Sequence, residues 1–166
     1  MRTPLPPLWT CPKCGATFVS ANMWHSCGRF RVEDLFTKSE PHVFTLFQKF
    51  KRMVERCGPV TMIPQKTRLV FMVRMRFAGF TVRKSGIRVA LILTRRLPPD
   101  PRLEKVETFG PRSIGHYFRI EREDQLDRTL QAWVREAYAC GCQKDFERRG
   151  NAARRRPSAK GGRSPA

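Results

Sequence analysis

Between Pro41 and Val54 the apolar residues Val43, Leu46, Phe47, Phe50, Met53 and Val54 recur at three- and four-residue intervals, while Lys49, Lys51, Arg52, Glu55 and Arg56 take the wetter side. That period predicts an amphipathic helix, opened by Pro41 and ended by Gly58-Pro59. After it the pattern changes. Segments rich in Val, Ile, Phe, Thr and Met at roughly 60–63, 67–77, 79–84, 87–94, 104–109 and 114–120 read as strands. Ala78-Gly79 and Ser85-Gly86 are expected to supply tight reversals, making the middle segments an antiparallel meander, and the LPPDP run at 97–101 interrupts the sheet. A second helix is expected from about Glu123 to Ala139, with Leu126, Leu130, Trp133, Val134 and Ala137 on one stripe and Gly141 as its stop.

Alternation then assigns faces. In the longest strand-like segment Thr67, Leu69, Phe71, Val73, Met75 and Phe77 share one side, and Arg68, Arg74 and Arg76 the other. Phe80, Val82, Ile87, Val89, Leu91 and Leu93 continue the apolar side, which places Arg83 and Arg88 opposite it. In the last strand Ile114, Phe118 and Ile120 point inward, Tyr117 and Arg119 outward, and His116 has inward parity, where a satisfied core histidine is the expected role. The fold class is therefore α+β: a helix, an antiparallel sheet of five or six strands and a C-terminal helix, with both helices on one face and an arginine-rich surface on the other.

Before this domain stand Cys11 and Cys14 in CPKCG, then His25 and Cys27 in WHSCG, a Cys-x2-Cys-x10-His-x-Cys spacing. Thiolate and imidazole ligands in paired knuckles suit a tetrahedral structural Zn2+, with Gly15 and Gly28 providing the turn after each pair. His25, two residues from Cys27, is the least orthodox member. The chain thus divides into a zinc head over 1–30, in which Trp9, Phe18, Trp24 and Phe30 are expected to cluster, an α+β domain over 31–143 and a disordered basic tail over 144–166.

Charge narrows the partner. The chain carries 33 Lys and Arg against 14 Asp and Glu, a formal +19, and the tail accounts for only +6 of it. Such potential favours polyanions, and an Arg excess of 24 over 9 Lys favours bidentate phosphate contacts. No run of 18 apolar residues reads as a membrane span and no continuous apolar leader opens the chain, so a reducing, cytoplasmic setting is expected, in which thiolates stay available for metal. The acids are scattered, and neither a nucleophile–base pair nor a phosphate-cradling glycine loop is visible, which argues against an enzyme.

The strings WTCPKCGATFVSANMWHSCGRF, GPVTMIPQKTR, VRMRFAGF and REAYACGCQ resemble an uncharacterised bacterial family, a domain of unknown function in which a short CPxCG and HSCG head precedes a small α+β domain. The resemblance spans about residues 9–143 and implies Cys11, Cys14, His25 and Cys27 as the metal set and the KTR and VRMRF positions as a basic strand. Helix, antiparallel sheet, helix is also similar to the frataxin-like group, without the acidic ridge used for iron delivery.

Together these features predict a zinc-stabilised nucleic-acid-binding accessory protein that contacts DNA or RNA through Lys66, Arg68, Arg74, Arg76, Arg83, Arg88, Tyr117 and Arg119. Two alternatives are a small-molecule or anion pocket, possibly catalytic, near Lys66, Arg68, Arg74 and His116, and an interaction module of a larger assembly such as the ribosome.

Overall fold

The computed structural model describes residues 4–144, so the expected basic tail lies, beyond Lys144, outside the described residues. Two short strands, β1 (Trp9–Thr10) and β2 (Thr17–Phe18), pair antiparallel in the head. A 3-10 turn at Glu33–Phe36 leads to helix α1 (Pro41–Glu55). Six strands follow: β3 (Thr61–Pro64), β4 (Leu69–Met72), β5 (Arg76–Val82), β6 (Ile87–Leu93), β7 (Leu103–Gly110) and β8 (Ser113–Ile120). A second 3-10 turn at Glu123–Gln125 precedes helix α2 (Arg128–Gly141), whose first turn is capped by the Asp127 carboxylate accepting from the Leu130 amide. The sheet is antiparallel throughout, in the order β3-β4-β5-β6-β8-β7. The last hairpin folds back so that β8, not β7, pairs with β6.

Both helices lie on one face. Their apolar stripes meet Leu69, Phe71, Phe80, Val89, Leu91 and Phe118 from the sheet, and Phe50 packs between Phe71 and Phe80 with ring centroids 5.6 and 6.0 Å away. Each fully buried side chain of this size contributes about 1.5–3 kcal/mol, which makes this face the main source of stability. Arg102 is buried against it, donating to both carboxylate oxygens of Asp100 and pairing with Asp127 at 3.0 Å, which ties the start of β7 to the start of α2. No helix among the described residues is long and apolar enough to cross a membrane.

Three local expectations fail for identifiable reasons. The segment 67–77 is not one strand: the chain bends at 73–75, so β4 and β5 form a hairpin. A bulge opposite Met72 leaves Phe77 unpaired, turned inward against Tyr138, and only Arg76 of the two downstream arginines reaches the open face. Ala78-Gly79 is not a reversal but the middle of β5. Gly141 is not a stop but the last helical residue: a Cβ there would lie 2.9 Å from Phe77, and the left-handed position belongs to Gln143 (φ 61°).

The open face is only partly open. Ile63, Val70 and Met72, on the side of β3 and β4 away from the helices, are buried beneath Cys11 and Phe18 of the head, with Trp9, Met23 and Cys27 around them. The expected four-ring cluster does not form, since Trp24 is 79% exposed.

Candidate metal centre and arginine-lined groove

The knuckle geometry follows from a few backbone bonds. Cys11 closes a turn by accepting from the Gly15 amide and donating to the Ala16 carbonyl, both at 2.8 Å. Gly15 (φ 74°) and Gly28 (φ 77°) take the left-handed conformation with open space where a Cβ would stand, so only the backbone requires glycine there. Four donor atoms result: the sulfurs of Cys11, Cys14 and Cys27 and a nitrogen of His25, all within 4.8 Å of one another. Cys11 and Cys27 sulfurs are 3.8 Å apart, and Cys14 sulfur is 3.2 Å from His25 Nε2. Thiolates bound at about 2.3 Å to one tetrahedral ion stand about 3.8 Å apart, so the quartet fits a single metal ion.

His25 is oriented for the task despite its short spacing. Its Nδ1 donates to the Met23 carbonyl at 2.8 Å, which leaves the Nε2 lone pair toward the thiols, and its ring lies 4.6 Å from that of Phe18. Burial opposes ionisation of Cys11, but the amides of Lys13 and Cys14 and the neighbouring thiols outweigh it and bring its pKa down to about 6. Burial and the nearby thiolates push Cys27 up.

Beside the head a concave groove of about 310 Å³ runs over the open face. Its form follows from register. One row across β4, β5, β6 and β8 reads Val70, Gly79, Ala90, Tyr117, so two bulky ends flank a floor with almost no side chain. The adjacent row toward Ile120 carries Thr81, Arg88 and Arg119, and the row on the other side carries Arg76, Ile92 and Gly115. Phe109, 56% exposed, lies over Gly115 at one end. Val70 belongs both to the groove and to the cluster beneath the head, so the head stands beside the groove as a wall.

The eight residues expected to contact nucleic acid separate into groups. Arg68, Arg76, Arg88 and Tyr117 line the groove, with no carboxylate among the lining residues. Lys66 sits at the exposed tip of the β3–β4 turn and, like Arg76, has no ion pair among the described residues. Arg83 and Arg88 share Glu104, at 3.3 and 3.1 Å, and Arg88 Nε lies at that distance without hydrogen-bond alignment while its guanidinium stacks 4.7 Å from the Tyr117 ring. Arg119 pairs with Glu121 at 2.6 Å. Arg74 is withdrawn into the 73–75 bend, donating to Gln143 and to the Pro6 carbonyl.

A pocket joining Arg68 and His116 does not form. His116 is fully buried on the helix-covered face, where Nε2 accepts from the Leu97 amide and Nδ1 donates to the Ile114 carbonyl. Arg68 lies on the other face.

Two features lie beyond the sequence expectations. Phe109 falls at the end of β7 as an apolar residue that no inward parity claims, a signal that was available. A second cleft, of about 410 Å³, opens between the helices, where Lys49, Arg52 and Arg56 repeat along α1 at three- and four-residue steps and meet Arg128, Glu123 and Asp127. The half-buried Cys57 and Cys142 are pushed up by burial and act as packing thiols.

A family model described as a domain of unknown function, DUF5655, matches residues 32–141. The matched region holds both helices and the whole six-stranded sheet and begins just after the head, so the Cys/His quartet lies outside it. No curated protein and no solved structure matches the chain significantly.

Proposed function

The chain belongs to the DUF5655 family, and from that premise we propose that it is a zinc-stabilised, non-enzymatic accessory protein that binds nucleic acid through the arginine-lined face of its sheet. The observation that carries this reading is the convergence of Arg68, Arg76 and Arg88 on one concavity whose lining holds no carboxylate. Guanidinium groups so gathered repel one another, and a phosphodiester chain relieves that repulsion while releasing its condensed counterions.

Lys66 extends the positive edge at the turn before β4. Arg83 and Arg119 form an outer rim whose exposed ion pairs are worth little and can exchange for phosphate. Arg74 holds the bend and the N-terminal arm and drops out of the contact set. Three thiolates and one imidazole are a donor set that suits zinc, held here as a folding staple, and a reducing cytoplasm would keep the thiols free for it.

The test is the affinity for a labelled oligonucleotide measured by fluorescence anisotropy. Arg68→Glu and Arg76→Glu should each weaken binding about tenfold, as expected for loss of a charge-assisted contact, whereas Arg135→Glu on α2 should change it little. Unchanged affinity in both groove variants ends the reading.

A further inference from the structure

We propose that the groove takes an unpaired, single-stranded segment of nucleic acid, seating one base on the Gly79–Ala90 floor beside Phe109 while Arg68 and Arg76 hold the flanking phosphates. This rests on the nucleic-acid reading above and narrows it to a substrate class.

The floor carries the argument. A surface meant only for a phosphate rod needs cations at the right spacing and nothing apolar between them. Here the space between the arginines is apolar and almost bare. The missing Cβ of Gly79 would lie 3.5 Å from Ala90 Cβ, an ordinary contact, so the emptiness comes from small side chains and not from a strained backbone. The row next to it adds Ile92, and the groove's end adds Phe109.

An aromatic face, a short apolar floor and rim cations are complementary to an unstacked base and its backbone. A duplex cannot use them, because its base faces are already stacked and only edges and phosphates reach the surface. The head reinforces this choice. By covering Val70 it stands at one end of the small-residue row, and at the other end Tyr117 is braced by its hydroxyl donating to Glu107 and by the Arg88 guanidinium on its ring. A bounded recess favours a flexible strand over a stiff rod.

Arg88 supplies the adaptable element. It is held to Glu104 at 3.1 Å without hydrogen-bond alignment, so turning its donors toward a phosphate sacrifices little. Its stacking on Tyr117 keeps the guanidinium plane at the groove's side, where a base edge can lie against it.

The experiment compares the full chain, zinc-loaded, on a short mixed-sequence oligonucleotide presented as a single strand and as a duplex at one salt concentration, in RNA and DNA forms. The single strand should bind about tenfold more tightly, the loss expected for one stacked base. Phe109→Ala, at an exposed site where folding is not at stake, should remove most of that preference. Ala90→Leu, which fills the floor, should do the same, with its thermal melt checked against the native chain. Equal affinity for strand and duplex, or a preference that survives both substitutions, overturns the single-strand assignment and leaves the phosphate-binding reading standing. Absence of binding to any of these oligonucleotides overturns both.

Discussion

Gly79 and Ala90 shape the groove, yet read singly they say the reverse. A glycine inside an apolar run is the ordinary signal of a turn, and only the register across β4, β5, β6 and β8 turns it into a floor. The metal quartet was legible for the opposite reason: its ligands lie close in sequence, so spacing alone constrains them in space. His116 was legible by parity, and its burial has a measurable consequence. Burial pushes the imidazole below its ordinary value of 6.5. Above that value both folded and unfolded chains keep the ring neutral, but below it the unfolded chain takes up a proton that the buried ring resists, so stability falls as pH falls. Thermal melts at pH 7.5 and 5.5 should therefore drop further for the native chain than for His116→Gln. Parallel drops would mean that the ring titrates freely in the folded state.

At the scale of elements, the helices were readable almost to the residue because their stripes repeat over fifteen and fourteen residues. The β4–β5 hairpin was not. Its alternation runs unbroken through the 73–75 bend by coincidence, and the bulge that turns Phe77 inward leaves no local mark in the sequence. What holds that bend is contact with the end of α2: the Met75 amide donates to the Gly141 carbonyl at 3.0 Å, and Gly141 lies bare against Phe77 and Val73. Gly141→Ala should thus destabilise the chain by about 1–3 kcal/mol through overpacking, although alanine is the better helix former. Chemical denaturation checks this, and a stabilised variant would show that the helix end is not pressed against the bulge.

For the whole molecule, the decisive arrangement is the head lying on the sheet. The sequence did carry a trace of it, because β4 reads Leu-Val-Phe-Met, apolar at both parities, and a strand buried on both faces requires a cover on each. Cys11 and Cys27 are at once candidate metal ligands and packing partners of that patch, so metal and docking are linked. Elemental analysis should find one zinc per chain. A chelator should alter the fluorescence of Trp9 and Trp24 in the head while far-ultraviolet dichroism of the sheet persists; an unchanged tryptophan signal after the metal is removed would separate the ion from docking. The binding account itself stands on charge gathered at the groove, and the dependence of oligonucleotide affinity on salt concentration measures that charge directly. With three phosphates engaged at Arg68, Arg76 and Arg88, log affinity against log salt should fall with a slope of about −2 to −3, and reversal at Arg76 should flatten it. A native slope near zero would contradict the account.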